Sequence, residues 1–182
     1  LLPNHELKNF ILNGSKQVRS KLALLYFKSL NYEINKDFLY VLSAGELIHN
    51  ASLLHDDVID NSETRRECST IGKKYSSDIS ILCGDYVVSK AIDLLLKIEK
   101  KEILNIFNKC VQNMTIAESK QYFLRNNLPN IEEYVEICQG KTAGLFSAIL
   151  GSCALLYELN QKPLIEFGNI FGISFQIKND FE

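Results

Sequence analysis

The chain has 182 residues, of which 46% are hydrophobic and 23% charged, and its formal net charge at pH 7 is −2. This composition is sufficient for one large hydrophobic core, and the nearly balanced charge gives no reason to expect a nucleic acid or an anionic membrane surface as a partner. An odd count of five cysteines predicts a reduced, cytoplasmic setting, and the sequence contains neither a signal-peptide pattern nor an apolar run of transmembrane length.

Helical periodicity runs along the whole chain, and the alternation typical of strands is absent from the sequence, so we predict an all-α fold. The predicted helices cover residues 4–12, 16–30, 37–60, 76–99, 101–125 and 130–159, followed by a last helix with Pro163 in its first turn. Asn130 and Glu133 form a capping-box pattern at the start of the helix at 130–159. Residues 61–74 form a predicted polar loop. We expect one domain over residues 1–182, with its C-terminal part missing, because the chain ends in the middle of a helical pattern.

Acidic side chains are concentrated at the end of the predicted central helix. Asp56 and Asp60 are one turn apart on one face, and Asp57 lies about 100° around the helix from Asp56. His49 is two turns back on nearly the same face, and the pair Arg65–Arg66 follows in the loop. Carboxylate oxygens suit a hard cation such as Mg²⁺, and guanidinium groups pair with phosphate oxygens, so this stretch predicts a diphosphate held through metal.

The alternative for this stretch is a solvated acidic helix end followed by a charged loop. For an isolated Asp-x-x-x-Asp pattern that alternative is preferable, because exposed carboxylates at this spacing only repel each other weakly. The apolar residues directly upstream and the arginines downstream favour a binding site instead.

Further charged and polar residues occur at other helix positions. Lys16 and Arg19 lie at a helix start, where free N–H groups favour an anion, although in isolation a solvated basic turn explains them better. Lys141 follows Gly140 in an apolar helix and either snorkels to the surface or reaches into a cavity. On the last helix, Asp180 is expected to face the first acidic cluster across a bundle interior. The pair Glu118 and Gln121 is expected at the surface.

Taken together, these residues resemble the trans-isoprenyl diphosphate synthases, or polyprenyl synthetases. Six segments resemble the motifs of that family, in the family's order: Gly14–Arg19, Glu46–His49, Asp56–Asp60 with Arg65–Arg66, Gly84–Tyr86, Lys141–Thr142 and Phe175–Asp180. Each segment alone is a modest signal, but their joint order from residue 14 to residue 180 is specific.

The resemblance implies an isoprenoid-synthase helical bundle around a deep central apolar cavity, and an enzyme that elongates an allylic diphosphate with isopentenyl diphosphate in the presence of Mg²⁺. It also implies a homodimer. It places Asp56, Asp57, Asp60, Arg65 and Lys141 in the catalytic centre, with Asp56, Asp60 and Asp180 as metal ligands. Isopentenyl diphosphate would be held by Lys16, Arg19, His49 and Arg66. The allylic diphosphate would be held by Arg65, Lys141, Thr142 and Gln176.

Product length is expected to follow from the residues before the first aspartate. Ser52, Ala51 and Ile48 are not aromatic, whereas aromatic residues four and five positions before that aspartate resemble the floor that stops growth early in the family. We therefore predict a long-chain synthase of the octaprenyl type. One departure concerns the second acidic motif of the family, which begins Asp-Asp, whereas here Asn179 precedes Asp180. A neutral amide is a weaker Mg²⁺ ligand than a carboxylate.

Three alternatives remain open at the level of sequence. The first is a short-chain synthase that makes farnesyl or geranylgeranyl diphosphate. The second is a non-catalytic subunit of a heteromeric synthase, which Asn179 favours. The third is a helical metal-dependent phosphohydrolase with His49, His55 and Asp56 as ligands of a transition metal, a reading that leaves the basic residues unexplained.

Overall fold

The computed structural model describes residues 4–12, 15–65, 68–125 and 127–181. Most of these residues are helical, which confirms the predicted all-α class. The helices are α1 (Asn4–Leu12), α2 (Val18–Ser29), α3 (Lys36–Ile59), α4 (Ile71–Lys74), α5 (Ser77–Leu95), α6 (Lys101–Phe123), α7 (Ile131–Cys138), α8 (Gly144–Leu156) and α9 (Gln161–Asp180). A π-helical segment, Gln139–Ala143, joins α7 to α8, and two short strands, β1 (Thr64–Arg65) and β2 (Cys68–Ser69), pair antiparallel.

Polar side chains fix where several helices begin. The side chains of Asn35 and Ser76 accept hydrogen bonds from backbone N–H groups in the first turns of α3 and α5, at 2.9 and 3.3 Å. At the start of α7 the predicted capping box is confirmed, because Asn130 and Glu133 each accept a bond from the other's backbone N–H at 2.9 Å. Such caps satisfy N–H groups that have no partner within the helix.

Helix α3 is the central element of the bundle and packs against α2, α5 and α8. Its first half is buried in the main hydrophobic cluster, where Phe38, Val41 and Ala44 are fully buried. Its second half packs in a smaller cluster that includes Ala51 and Leu54 and joins α3 to α1, α4 and α5. The smaller cluster reaches Leu54, two residues before Asp56, so the acidic end of α3 is packed against neighbouring helices.

Helices α8 and α9 pack at very close range because α9 carries glycine at the contact points. A Cβ at Gly168 would lie 2.8 Å from the backbone of Ser147, and one at Gly172 would lie 2.4 Å from Cα of Ala143. Any side chain at these positions would push α9 outward, since real Cβ atoms do not approach backbone atoms so closely. The two glycines therefore bring the polar end of α9 towards the π-helical segment.

Three details differ from the sequence-based prediction. The loop at 61–74 contains the β1–β2 pair and α4, which are too short to show periodicity. The predicted helix at 130–159 is divided by the π-helical segment, and α5 ends at Leu95 rather than at Glu99. In the part of the chain that the structure describes, no helix has the length and apolarity needed to cross a membrane.

Candidate active site

A cavity of about 1260 Å³ opens beside the acidic end of α3 and runs into the bundle, as the resemblance implied. Its mouth is polar, with Asp56 from α3, Lys141 and Thr142 from the π-helical segment, and Gln176 from α9. Its inner part is apolar and is formed by α3, α5 and α6. The apolar lining includes Ile48, Val88, Ile92, Val111 and Met114. The chain thus combines a charged entrance with an interior that suits a hydrocarbon chain.

The three aspartates at the C-terminal end of α3, Asp56, Asp57 and the C-cap residue Asp60, have different surroundings. Asp56 lines the cavity and is only 9% exposed, whereas Asp57 is 3% exposed and lies outside the cavity lining. Asp60 caps the C-terminus of α3, and its side chain is 47% exposed. The different environments of Asp56 and Asp57 agree with the predicted turn of about 100° between them. Asp60, predicted on the same face as Asp56, is absent from the cavity lining and pairs with Arg125 instead.

Each of these aspartates contacts a basic side chain from another element. Nζ of Lys141 lies 3.8 Å from Asp56 and 2.5 Å from Glu118, whose side chain is 14% exposed. Burial raises the pKa of Asp56 to about 6, the positive charge of Lys141 lowers it, and the negative charge of Glu118 raises it. Removing this carboxylate from water is costly, and a cation at the mouth would offset that cost.

Asp57 is held by Arg65, which lies in β1. The Arg65 Nε donates to Oδ1 of Asp57 at 2.6 Å. Burial raises the pKa of Asp57, while the bond from Arg65 acts in the opposite direction. This pair anchors the β1–β2 hairpin to α3 and fixes the position of Arg65. Arg66, predicted to bind isopentenyl diphosphate, lies outside the described residues.

The π-helical segment positions Lys141 and Thr142. A π turn places one extra residue in the helix and is frequent at functional sites, and here it lies where Gly140 packs closely on Ala117 of α6. Nζ of Lys141 also donates to Oε1 of Gln121 at 3.1 Å. Lys141 therefore reaches the cavity mouth instead of the surface.

A chain of hydrogen bonds joins the π-helical segment to α9 and α7. The Thr142 hydroxyl donates to Gln176 Oε1 at 2.7 Å, and Gln176 Nε2 donates to Asp180 Oδ1 at 2.8 Å. The hydroxyl of Tyr134 donates to the other oxygen of Asp180 at 2.5 Å, and this bond raises the pKa of Tyr134. The predicted residues Thr142, Gln176 and Asp180 are thus directly connected.

A second basic group lies across the cavity, where Lys16, Arg19 and His49 all contribute to the lining. Arg19 is 9% exposed, and its guanidinium lies 4.9 Å from the ring centre of Phe146. Burial lowers the pKa of Arg19 to about 10, against the opposing charge of Glu46. Among the described residues its Nε has no hydrogen-bond partner. A buried cation with an unpaired donor is well suited to an anionic ligand.

The three residues predicted to set product length are separated by the structure. Ser52 and Ile48 line the cavity, one and two turns inward from Asp56. Ala51 is 1% exposed and belongs to the smaller hydrophobic cluster that includes Leu54, outside the cavity lining.

Comparison with known proteins identifies the family. The family model described as polyprenyl synthetase matches residues 4–182. The chain belongs to the polyprenyl synthetase family.

Two relatives and one solved structure illustrate the similarity. The octaprenyl diphosphate synthase of Escherichia coli is 31% identical over 179 residues, which are 93% of this chain and 54% of that protein. The short chain isoprenyl diphosphate synthase of Methanocaldococcus jannaschii is 31% identical over 95% of this chain and 55% of that protein. A polyprenyl synthase structure from Caulobacter crescentus, complexed with calcium and isoprenyl diphosphate, superimposes with a TM-score of 0.87 and 29% identity. It is matched over 97% of this chain and 55% of that chain. The chain spans about half the length of these relatives.

The site of this polyprenyl synthetase includes residues that sequence reasoning missed. Glu118, expected at the surface, lines the cavity and pairs with Lys141, so that expectation was wrong. The spacing of four residues from Met114 to Glu118 and again to Tyr122 on α6 was the signal for this inward face. Arg125 contacts Asp60 across 65 positions of sequence, and no local pattern indicated that contact.

The donor chemistry of this polyprenyl synthetase fits a divalent cation. The groups near the mouth are carboxylate oxygens, which a hard ion prefers. Among the described residues, no three His, Cys, Asp or Glu side chains are grouped closely enough to hold a metal ion by themselves. A metal at this mouth would therefore be shared between one or two carboxylates, water and the oxygens of a ligand, which is the usual situation for Mg²⁺ with phosphates.

Proposed function

We propose that this protein is a Mg²⁺-dependent trans-prenyltransferase. It elongates an allylic diphosphate by head-to-tail (1'-4) condensation with isopentenyl diphosphate, releases diphosphate, and makes an all-trans polyprenyl diphosphate for quinone side chains. The observation that carries the proposal is the combination of one large apolar cavity with acidic and basic side chains at its mouth. The calcium and isoprenyl diphosphate bound by the Caulobacter protein support the same ligand classes here.

The reaction needs two diphosphates held side by side. In this proposal the allylic diphosphate is held by Arg65, Lys141, Thr142 and Gln176. Isopentenyl diphosphate is held by Lys16, Arg19, His49 and Arg66. Positioning both substrates replaces a bimolecular search and supplies a large part of the rate enhancement.

Asp56 and Asp60 would hold Mg²⁺, with Asp180 as a further ligand, and the metal would supply positive charge at the departing diphosphate. Lys141 and Arg65 add fixed positive charge at the same place, where it is most effective because the surroundings are partly buried. Asp57 acts through Arg65, which it orients by their 2.6 Å hydrogen bond. Thr142 acts together with Gln176, to which it donates at 2.7 Å.

During the reaction the bond between the allylic carbon and the diphosphate oxygen breaks, and its electron pair leaves with diphosphate. The double bond of isopentenyl diphosphate provides the electrons for the new carbon–carbon bond, and one proton passes to the released diphosphate. The apolar walls formed by Ile48, Met114 and their neighbours keep water from the allylic cation.

We propose a long-chain product because Ser52 leaves the cavity open one turn inward from Asp56. The similarity of the chain to both an octaprenyl synthase and a short chain synthase makes product length the property to measure. Labelled isopentenyl diphosphate is incubated with the full-length protein and primers of several lengths, and the products are analysed by mass. We expect products of about forty carbons, as in the octaprenyl class implied by the resemblance. A fifteen- or twenty-carbon product would identify a short-chain synthase, and no product from the protein alone would identify a non-catalytic subunit.

We also propose that the protein is a single-domain cytoplasmic homodimer. All five cysteines are free thiols, which is usual in a reducing compartment. Leu82 and Tyr86 of α5 and Leu96, its C-cap residue, are 54%, 42% and 64% exposed, and a row of exposed apolar residues along one helix is typical of a subunit interface. Sedimentation equilibrium tests this, with a dimer expected for the wild type and a monomer for Leu82→Glu.

A further inference from the structure

Arg125 is a basic residue next to the cavity lining for which the proposed function provides no role. It lies just after α6, two residues beyond Phe123 in the cavity lining. Asp56, Asp57 and Asp60 contact Lys141, Arg65 and Arg125, at 3.8, 2.6 and 2.5 Å in that order. The first two of these basic residues are proposed to bind diphosphate. Arg125 forms the same kind of ion pair with Asp60.

Several contacts hold the Arg125 guanidinium at this place. Its Nη2 donates to Oδ1 of Asp60 at 2.5 Å and to the carbonyl oxygen of Ile59 at 3.2 Å. The guanidinium also lies 4.5 Å from the ring centre of Tyr122, which lines the cavity. The two charged side chains remain 38% and 47% exposed, so they can separate without leaving a buried, unpaired charge.

A guanidinium and a divalent cation compete for the same carboxylate. While Arg125 is bound to Asp60, that carboxylate is partly neutralised and one of its oxygens is occupied. If a metal takes the carboxylate, the arginine must find another acceptor. A diphosphate bridged to that metal presents oxygens to which a guanidinium fork can bind in a bidentate manner.

We propose that Arg125 exchanges between two partners: it is the counter-ion of Asp60 when the site is empty, and it binds the diphosphate when metal and substrate are present. This inference rests on the proposed function. It adds Arg125 to the diphosphate-binding residues. It also explains how an acidic site avoids repulsion between its carboxylates before the metal arrives.

The test uses Arg125→Gln and Arg125→Lys in the full-length protein, with Mn²⁺ as a spectroscopic substitute for Mg²⁺ and inorganic diphosphate as the ligand. Mn²⁺ binding is followed by electron paramagnetic resonance without diphosphate, and diphosphate binding by calorimetry at saturating Mn²⁺. For Arg125→Gln we expect Mn²⁺ to bind about tenfold more tightly and diphosphate to bind about tenfold more weakly, since one charge-assisted contact is lost in each state. Arg125→Lys keeps the charge without the guanidinium fork. Both of its affinities are expected to lie between those of the wild type and those of Arg125→Gln.

Lys120→Gln is the matched control. It removes one positive charge from α6, the helix that Arg125 follows, and Lys120 pairs with Glu136 outside the cavity. Both affinities are expected to stay at the wild-type values. Wild-type affinity of Arg125→Gln in either titration would overturn this inference alone. A wild-type protein that fails to bind diphosphate with Mn²⁺ would overturn the proposed function and this inference together.

Discussion

Product length tests whether the depth of the cavity limits chain growth, and Ser52→Phe is the substitution that tests it most directly. Ser52 lies four residues before Asp56, which is about 6 Å inward along the helix axis, whereas Ile48 is about 12 Å inward. Both side chains line the cavity. The Ser52 hydroxyl only donates to the carbonyl of His49 at 2.9 Å, so its loss costs the fold little. A phenyl ring at position 52 would close the cavity one turn below the metal-binding end.

The size of the effect follows from the apolar surface that a growing chain buries. Burial is worth about 0.8 kcal/mol per carbon, so a five-carbon unit that no longer fits loses about 4 kcal/mol. That difference lowers the rate of the next elongation, relative to product release, by about a thousandfold. Ser52→Phe should therefore stop growth within one or two additions, and Ile48→Phe should stop it later.

The assay is mass analysis of dephosphorylated products from labelled isopentenyl diphosphate, with thermal unfolding of each variant measured in parallel. Ser52→Ala, which keeps the cavity open, is the control and should give the wild-type distribution. If Ser52→Phe folds normally and still makes wild-type products, the prenyl chain does not grow along α3 and the proposed path of the product is wrong.

Three further predictions concern separate parts of the chain. Arg19→Gln should raise the KM for isopentenyl diphosphate about tenfold or more, because a charge-assisted contact is lost. The Tm should not fall, because keeping a charge buried is costly to the folded protein. An unchanged KM would remove Arg19 from the substrate site. Asn179→Asp should lower the Mg²⁺ concentration for half-maximal activity several-fold, since a carboxylate is the better ligand, and a Mg²⁺ titration that matches the wild type would show that residue 179 does not contact the metal. Gly172→Ala should destabilise the protein by about 1–3 kcal/mol in denaturant unfolding, because the new Cβ would lie 2.4 Å from Cα of Ala143. The control Gly72→Ala meets nothing closer than 3.9 Å and should be nearly neutral. Equal stabilities would contradict the close packing of α9 on the π-helical segment.

The sequence was sufficient for the parts of the structure that depend on local spacing. The separate environments of Asp56 and Asp57 follow from helical geometry, and the α7 capping box was identified from Asn130 and Glu133. The cavity mouth was anticipated through the family resemblance, which brought together residues as distant as Arg19 and Gln176.

Other features depend on contacts that no local pattern encodes. The π-helical segment adds one residue to a turn. A search for hydrophobic residues at 3.6 residues per turn does not reveal that extra residue, so the segment could not be predicted. The ion pair between Arg125 and Asp60 joins residues 65 positions apart, so it arises from the tertiary arrangement that brings the C-terminal ends of α6 and α3 together. Glu118 was misplaced because a charged residue was assigned to solvent, although its partner Lys141 provides the opposite charge inside the cavity.

The central claim is that Asp56 and Asp60 hold the metal that binds the allylic diphosphate. The most direct measurement is the elongation rate of the double variant Asp56→Ala/Asp60→Ala at saturating Mg²⁺, compared with Asp37→Ala at the other end of α3. We predict a loss of at least about a thousandfold for the double variant, because the charge that stabilises the departing diphosphate is lost, and wild-type activity for Asp37→Ala. A folded double variant that elongates the allylic primer at the wild-type rate would contradict the account.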